Sequence, residues 1–171
     1  MTLRPLREGD SDALLALLLR LDHETDTMLF EPGERDRDGA AQRRLTERLL
    51  SSERDAVFVA DPGDALAGFA GVRRNERRRT EHAASLVVGV LPGHQRRGVG
   101  GGLMALAEQW ARGRGVARVE LTVRCDNLAA VSLYLKRGYA VEGLRRRALR
   151  VGGRFVDEYA MSLLLDPAGA P

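Results

Sequence analysis

The sequence predicts an α/β domain with a mixed, mostly antiparallel central sheet of about seven strands, flanked by helices on both faces. Short apolar runs bounded by Gly, Pro and Asp turns have the length and composition of strands. Segments with apolar residues at helical spacing interrupt these runs. The 171 residues contain no internal repeat and no linker, which favours one domain over residues 1–165 and a disordered tail over residues 166–171.

The amino-terminal part predicts a strand, two helices and a long loop between them. Asp10 or Ser11 is expected to cap the first helix, and Pro32-Gly33 breaks the polar segment after it into a loop that could close over a substrate. The elements predicted here are a strand around Leu3–Leu6, a helix from Ser11 to about Leu21, a loop or short helix over Asp22–Asp38 and a helix over Gly39–Leu50.

The rest of the chain predicts a meander, two more helices and a final hairpin. Gly113–Gly115 and Gly138 are expected to end the two helices, and Gly152-Gly153 to turn the hairpin. The predicted elements are strands over Ala56–Ala60, Leu66–Val72 and His82–Val90, a turn and helix over Gly98–Gly115, a strand over Val116–Val123, a helix from Asn127 to Gly138, and strands over Arg145–Val151 and Phe155–Leu164.

Charge does not favour a nucleic-acid partner. The chain has 27 basic and 24 acidic residues, a formal net charge of +3, and a single lysine, Lys136. A small excess attracts phosphates weakly, and the arginine clusters Arg73–Arg79 and Arg145–Arg147 lack interleaved aromatic residues for stacking on bases. We interpret both clusters as solvated hairpin and strand edges.

The single cysteine and the lack of long apolar segments indicate a cytoplasmic protein with no membrane partner. Cys125 excludes an intramolecular disulfide and suits a reducing compartment. The amino terminus lacks the apolar stretch of a signal peptide, and the longest apolar run, Ala13–Leu19, is too short to cross a bilayer. No His/Cys spacing resembles a metal site, and no histidine can be paired with Cys125 as a nucleophile, so we expect no metal and no covalent mechanism.

A glycine-rich turn carries the strongest chemical signal. Residues 95–102 read Gln-Arg-Arg-Gly-Val-Gly-Gly-Gly and lie between a predicted strand ending at Val90 and a predicted helix. Amides at such a helix start point at one place, and glycine lets a large anion such as phosphate approach them. The dinucleotide fingerprint fails because Leu103 stands where its third glycine belongs, and the P-loop fails because no Gly-Lys-Ser/Thr is present.

The pattern Gln95-x-x-Gly98-x-Gly100 resembles the acetyl-CoA signature of the GNAT (GCN5-related) N-acetyltransferase superfamily. The resemblance covers about Leu86 to Gly143, and the terminal hairpin is similar to that of small bacterial members. Its further matching segments are Val88–Pro92, Leu121–Val123, Asn127, Ala130, Leu133-Tyr134 and Lys136–Tyr139.

The resemblance implies that acetyl-CoA is the acyl donor and that two strands splay apart at its site. The pantetheine arm is expected to bond to the backbone of Val88 and Val90, and the pyrophosphate to lie over the amides that follow Gln95. Arg96 and Arg97 are either direct charge partners or ordinary surface arginines, and Asn127 is a pantetheine contact, a helix cap or both. The implied cofactor-binding residues are Val88, Val90, Gln95, Arg96, Arg97, Gly98, Val99, Gly100, Gly101, Asn127 and Tyr134.

The resemblance also implies direct attack of an acceptor amine on the acetyl carbonyl, which needs an acid and a base. Tyr134 matches the tyrosine that protonates the departing thiolate, with a packed core tyrosine as the alternative. Ala84 stands where some relatives carry a carboxylate base. His82, on the same predicted strand face, is our candidate, with a structural histidine as the alternative. Glu24 and Glu31 are weaker candidates.

The acceptor is the least specified part of the reaction. It is expected to be a primary amine of a small molecule or of a protein or peptide amino terminus. Acidic residues of the first loop favour a cationic acceptor unless they are simply solvated; these are Asp22, Glu24, Asp26, Glu31 and Glu34. A non-catalytic acyl-CoA sensor or complex subunit is the alternative function, and family analogy makes a homodimer plausible.

Overall fold

The computed structural model describes residues 1–165, so the expected disordered tail at 166–171 lies outside the described residues. Single-turn 3₁₀ segments at Glu8–Asp10 and Pro92–His94 accompany the main elements. The strands are β1 Thr2–Pro5, β2 Asp55–Asp61, β3 Gly68–Arg74, β4 Ala83–Val90, β5 Arg118–Arg124, β6 Ala140–Val151 and β7 Arg154–Leu164. The helices are α1 Ser11–Glu24, α2 Gly39–Ser51, α3 Val99–Gly113 and α4 Leu128–Lys136.

The seven strands form one sheet in the order β1-β2-β3-β4-β5-β7-β6, which confirms the predicted mixed fold class. The pairs β1/β2, β2/β3, β5/β7 and β6/β7 are antiparallel. The pair β4/β5 is parallel, and its register covers Ala83–Ser85 against Arg118–Glu120. Since β4 continues to Val90 and β5 to Arg124, the paired part is short, as a splayed pair requires.

Contacts divide the chain into two compact units, of which the first contains Met1–Arg73 and Val87–Trp110. Its core forms where α1 packs on the sheet, because α1 is apolar along the side that faces β2 and β3. Arg4 joins β1 to its surroundings through bonds of 2.6–3.0 Å to the carboxylates of Asp10 and Asp61. The core cluster consists of Leu6, Leu14, Leu17, Leu21, Val59, Leu66, Phe69 and Leu91.

Asp10 precedes α1 as predicted, but its side chain makes no hydrogen bond that caps α1. Its carboxylate instead accepts bonds from the Arg4 guanidinium and, at 2.7 Å, from the Arg7 amide. These bonds, with that to Arg4 the strongest, hold the pKa of Asp10 below its ordinary value. The expected cap is therefore part of an ion-pair network, because a partly buried arginine competes more strongly for the carboxylate than a helix amide does.

The second unit contains Arg74–Leu86 and the chain from Ala111 onward. Here β5 pairs with β7 along its whole length, and β7 pairs with β6. The sequence placed the start of β6 at Arg145, whereas it starts at Ala140, and Val141 already pairs with Met161. A β-bulge between Val141 and Gly143 interrupts the alternation of side chains between the two faces. The sequence pattern therefore did not predict this part of the strand.

Candidate functional site

The predicted anion turn lies between the end of β4 and the start of α3, and its backbone is unusual. Arg96 has φ +61° and Gly98 has φ +80°, so two of three consecutive residues adopt the left-handed region. This region is sparsely populated by residues with a side chain, and the strain is most often found at functional sites. The turn thus has a specific shape that differs from that of an ordinary strand-to-helix connection.

The side chain of Gln95 joins this turn to β4. Its Nε2 donates a hydrogen bond of 2.9 Å to the carbonyl oxygen of Val90, the last residue of the strand. The bond uses an acceptor that a splayed strand leaves without a ladder partner. The conformation therefore assigns Gln95 to shaping the turn, while its contact with a coenzyme stays a prediction.

The glycines of the turn have two different roles. A Cβ on Gly98 would meet no atom within 4 Å, so the positive φ, and not space, requires glycine there. A Cβ on Gly102 would lie 2.3 Å from Cδ1 of Leu3, so this glycine lets α3 approach β1. The interpretation of all four glycines as clearance for an anion is wrong for Gly102, whose missing side chain makes room for packing.

The first turn of α3 presents amides in the way that a phosphate site needs. The first helical bond runs from the Gly102 amide to the Gly98 carbonyl at 3.0 Å. The amides of Val99, Gly100 and Gly101 precede it and have no partner within the helix, and the helix dipole adds positive potential. Arg96 and Arg97 are exposed beside them. These residues fit a diphosphate, and their contact with one stays a prediction.

His94 precedes the turn and carries a feature that the sequence did not reveal. Its Nδ1 is buried and has no hydrogen-bond partner within residues 1–165, although the ring is only partly buried. Nothing in the sequence distinguishes this histidine from a surface one, because its environment is created by the 3₁₀ turn Pro92–His94.

The end of β4 is packed tightly on one side. Val88 and Val90 are half-buried, and Gly89 lies between them. A Cβ on Gly89 would lie 3.0 Å from Leu21, 3.0 Å from Phe69 and 3.3 Å from the sulfur of Met28. This face of the strand therefore lies close to α1, β3 and the loop that follows α1, and a side chain at position 89 would have to displace them.

The acidic residues of the first loop are mostly committed to partners. Asp22 belongs to α1, is 2% exposed, and accepts bonds of 2.5 and 3.1 Å from Arg35. Glu24 accepts a bond of 2.8 Å from Arg20, and Glu34 accepts one from a loop amide. The expected preference for a cationic acceptor loses Asp22 as support, because its charge is buried and neutralised.

Two predicted site residues lie on α4, in the second unit. Asn127 caps the helix, and its Oδ1 accepts a bond of 3.2 Å from the Ala130 amide. Tyr134 is 7% exposed and its ring lies 6.0 Å from that of Tyr139. Burial raises the pKa of the Tyr134 hydroxyl to about 12, so the phenol keeps its proton. A protonated, buried phenol can donate to a leaving group.

His82 lies outside the strand on which it was predicted. β4 begins at Ala83, and His82 is an exposed residue of the preceding turn. Its carbonyl accepts bonds from the amides of Ala117 and Arg118 at 2.8 and 3.2 Å, which fix its backbone. The predicted strand therefore began one residue too early, and the strand face that Ala84 belongs to does not extend to His82.

Cys125 has the surroundings of a packing residue. Burial is the largest influence on its thiol, and it raises the pKa above the ordinary value, with Asp157 adding to the effect. A thiol of this kind forms little thiolate and is a poor nucleophile. Within residues 1–165 no group of three or more His, Cys, Asp or Glu side chains is arranged to hold a metal ion. In the same part of the chain, no helix is both long enough and apolar enough to span a bilayer.

Comparison with known proteins identifies relatives that match most of the chain, including the turn between β4 and α3. Residues 18–139 match the model of the acetyltransferase (GNAT) family. N-alpha-acetyltransferase RimI of Mycobacterium tuberculosis is 40% identical over 67% of this chain and 69% of its own length. L-amino acid N-acetyltransferase AaaT of Escherichia coli is 31% identical over 71% of this chain and 73% of its own.

Solved structures show the same fold. An acetyltransferase of the GNAT family from Streptococcus pneumoniae superposes with a TM-score of 0.91 at 28% identity, covering 96% of this chain and 99% of that one. The yncA protein of Salmonella typhimurium, solved with its cofactor acetyl-CoA, has a TM-score of 0.85 at 23% identity, covering 100% and 97% of the two chains.

Proposed function

Because the chain belongs to the acetyltransferase (GNAT) family, we propose that it transfers the acetyl group of acetyl-CoA to a primary amine by direct attack in a ternary complex. The observation that carries this proposal is the turn between β4 and α3. Gln95 fastens it to Val90, and the left-handed residues Arg96 and Gly98 lead into the free amides of α3. A diphosphate is the chemical group that this arrangement fits best.

The acyl donor is held along the backbone in this proposal. Val88 and Val90 bond the pantetheine arm, since the short register of β4 with β5 leaves strand groups available. The amides from Arg96 to Gly101 bind the pyrophosphate, and Asn127 contributes a contact with the arm while it caps α4. Because the Asn127 amide nitrogen is not needed for capping, both functions are compatible.

Transfer forms the bond between the amine nitrogen and the acetyl carbon and breaks the bond between that carbon and sulfur. The electron pair of the broken bond stays on the sulfur, and Tyr134 donates a hydrogen bond to the thiolate. A tyrosine pKa of about 12 lies above the ordinary thiol value of about 8.5. Tyr134 therefore stabilises the thiolate mainly as a hydrogen-bond donor, and complete proton transfer is unfavourable while the site stays buried.

The acceptor amine must lose a proton, and His82 is the candidate base. It lies six residues before Val88, the first residue proposed to bond the pantetheine arm, a distance of about 20 Å along an extended strand. At that distance it takes the proton through a chain of water molecules and not by direct contact. Replacing His82 by Ala should lower kcat/KM with the KM for acetyl-CoA unchanged, and an unaltered kcat/KM rejects the assignment. Glu24, held by Arg20, and Glu31 are the next candidates.

The acceptor is proposed from the relatives' names. One is named for N-alpha-acetylation and another for L-amino acids, so both names describe an amine on the α-carbon of an amino acid. We therefore place an amino acid or a peptide amino terminus first among small-molecule and protein amines. A cytoplasmic location fits the lone Cys125, and a homodimer is tested by a light-scattering mass.

The deciding experiment measures acetyl transfer from acetyl-CoA to a panel of amino acids, amino-terminal peptides, polyamines and aminoglycosides. The proposal is supported if at least one of these classes is acetylated and if an analogue of that acceptor without its amine is not. Binding of acetyl-CoA without transfer to any class favours the alternative, a non-catalytic acyl-CoA sensor or complex subunit. Absence of acetyl-CoA binding contradicts both functions.

A further inference from the structure

The two compact units differ strongly in charge. The first unit has 12 basic and 16 acidic residues, a formal net charge of −4 with histidine neutral. The described residues of the second unit, Arg74–Leu86 and 111–165, have 15 basic and 7 acidic residues, a net charge of +8. The chain's total of +3, which also counts Asp166, conceals this difference. The expectation of no nucleic-acid partner rests on that total, whereas an excess of +8 within one unit attracts polyanions.

The end of the hairpin formed by β6 and β7 carries the densest group of these basic residues. All five arginines of the group are exposed, and only Arg145 forms an ion pair within residues 1–165, with Glu158 at 2.9 Å. The other four have no ion-pair partner in that part of the chain, so their charge acts on solvent and solutes. The group consists of Arg145, Arg146, Arg147, Arg150 and Arg154, and together with Phe155 we call it the arginine hairpin.

A distortion of β6 places one of these arginines over an aromatic ring. The register of β6 with β7 shifts between Arg145 and Leu149, and inside this irregularity Arg147 has φ +53°. A residue with a side chain rarely adopts this region, and here the Arg147 amide donates a hydrogen bond of 2.7 Å to Oδ1 of Asp157, which fixes the backbone. The Arg147 guanidinium carbon lies 5.4 Å from the centre of the Phe155 ring. The strand is therefore bent in a way that holds a cation beside an aromatic side chain.

Phe155 itself is 61% exposed, which is unusual for a residue of its size and hydrophobicity. It pairs directly with Arg150 in the β6–β7 register, so the two side chains project from the same face of the sheet. The exposed ring is thus accompanied by the guanidinium groups of Arg147 and Arg150. The sequence did not reveal this arrangement, because Phe155 is distant from the Arg145–Arg147 cluster along the chain and only the fold brings them together.

We propose that the arginine hairpin binds single-stranded RNA, with an unpaired base stacked on Phe155 and the neighbouring phosphates bonded to the arginines. Every base has a flat face that can stack on an aromatic ring, and a guanidinium matches the oxygen atoms of a phosphate. An acidic peptide would satisfy the arginines but gain nothing from the ring. Double-stranded DNA keeps its bases stacked on one another, whereas unpaired bases are common in RNA. This binding is independent of the proposed acetyl transfer.

The proposal is tested by fluorescence anisotropy of the full chain with a fluorescein-labelled uridine dodecamer over about 50 to 200 mM KCl. Each phosphate contact of a single strand contributes about 0.7 to the logarithmic dependence of affinity on salt, so four arginines without ion pairs predict a slope of about −2 to −3. No binding at about 50 mM KCl, or a slope near zero, overturns the proposal. Saturating CoA should leave the RNA affinity unchanged, and displacement of the RNA by CoA overturns the proposal by placing the RNA at the β4–α3 turn.

Variants separate the ring from the charge. Phe155→Leu should weaken RNA binding about tenfold without changing the salt slope, because it removes the stacking surface and no charge, and Phe155→Trp should keep the affinity. Arg150→Gln should weaken binding and reduce the slope by about 0.7. Arg78→Gln is the matched control, since Arg78 is an exposed arginine of the same unit outside the arginine hairpin, and it should change neither value. Equal losses in Arg150→Gln and Arg78→Gln, or normal affinity in Phe155→Leu, contradict the assignment.

Two further probes identify the class of partner. A labelled glutamate dodecamer and a DNA duplex of the same length should both bind more weakly than the uridine dodecamer at equal salt, and neither should respond to Phe155→Leu. Binding of the acidic peptide as tight as that of RNA overturns the proposal in favour of an acidic protein partner. Equally tight binding of the duplex overturns it as well, because the ring then has no part in recognition.

Discussion

Replacing Gly98 by Ala tests the anion turn with the least disturbance of packing. A Cβ at this position meets no atom within 4 Å, so the substitution acts through the backbone alone. The φ of +80° costs a residue with a side chain about 1–2 kcal/mol. For a chain of this size, each kcal/mol lowers the melting temperature by roughly 2–4 °C. We therefore expect Gly98→Ala to lower the melting temperature by about 2–8 °C.

If the free turn of the variant instead relaxes to a negative φ, the loss of melting temperature is smaller and the cost appears in acetyl-CoA binding. The ligand must then restore the left-handed conformation, and 1–2 kcal/mol corresponds to a dissociation constant about 5–30 times higher. Thermal melts and calorimetric titration with acetyl-CoA measure the two effects. Gly98→Asn should be milder than Gly98→Ala, because asparagine adopts the left-handed region more readily.

Gly93 provides the matched control. It lies in the 3₁₀ turn just before, a Cβ there also meets nothing within 4 Å, and its φ is not in the left-handed region. Gly93→Ala should therefore keep both the melting temperature and the acetyl-CoA affinity. Equal losses in the two variants, or a normal melting temperature together with normal affinity in Gly98→Ala, would refute the reasoning that the conformation of Gly98 shapes the site.

Three further predictions follow from individual side chains. Tyr134→Phe should lower kcat about tenfold or more with acetyl-CoA affinity unchanged, and wild-type activity should show no tyrosine ionisation between pH 7 and 10 because burial places that pKa near 12. Thr46→Val should raise the melting temperature, because the fully buried Thr46 hydroxyl has no hydrogen-bond partner within residues 1–165 and such a group costs about 1–3 kcal/mol of stability. Thr25→Val is the control and should lower the melting temperature, because it removes a hydrogen bond of 2.7 Å to the Leu21 carbonyl. Hydrogen bonds, above all that from Arg118, lower the pKa of Glu142 to about 2, so on acidification the unfolded chain binds this proton at a higher pH than the folded chain does. The free energy of unfolding should therefore fall as the pH decreases from about 4.5 towards 2. Urea melts of Glu142→Gln should show a smaller fall over the same range.

The sequence predicted the fold and the turn because both depend on local patterns. Strand-length apolar runs and helical spacing set the element order, and Gln95, Gly98 and Gly100 stand at fixed spacing within one turn. The left-handed φ of Gly98 is the local property that this glycine implies. Only the left-handed Arg96 beside it had no sequence signal, since arginine has no preference for that region.

The sequence failed where a residue depends on a distant partner. Asp22 was counted as loop charge because nothing near it reveals Arg35, and Asp10 was counted as a cap because nothing near it reveals its competition with Arg4. The packing role of Gly102 also depends on Leu3, which is distant in the sequence although it lies next to Gly102 in the fold. Such pairs are fixed by tertiary structure, so local propensity cannot identify them.

The contact between Leu3 and Gly102 makes strand β1 part of the support of the proposed acyl-donor site. Leu3 belongs to the four-residue strand β1 at one edge of the sheet, and its side chain seats against the first turn of α3, the helix whose amides face the pyrophosphate in the proposed function. An affinity tag fused directly to Met1 adjoins this edge strand, which begins at Thr2. Recombinant protein for ligand-binding work should therefore carry its tag at the carboxyl terminus or have an amino-terminal tag removed.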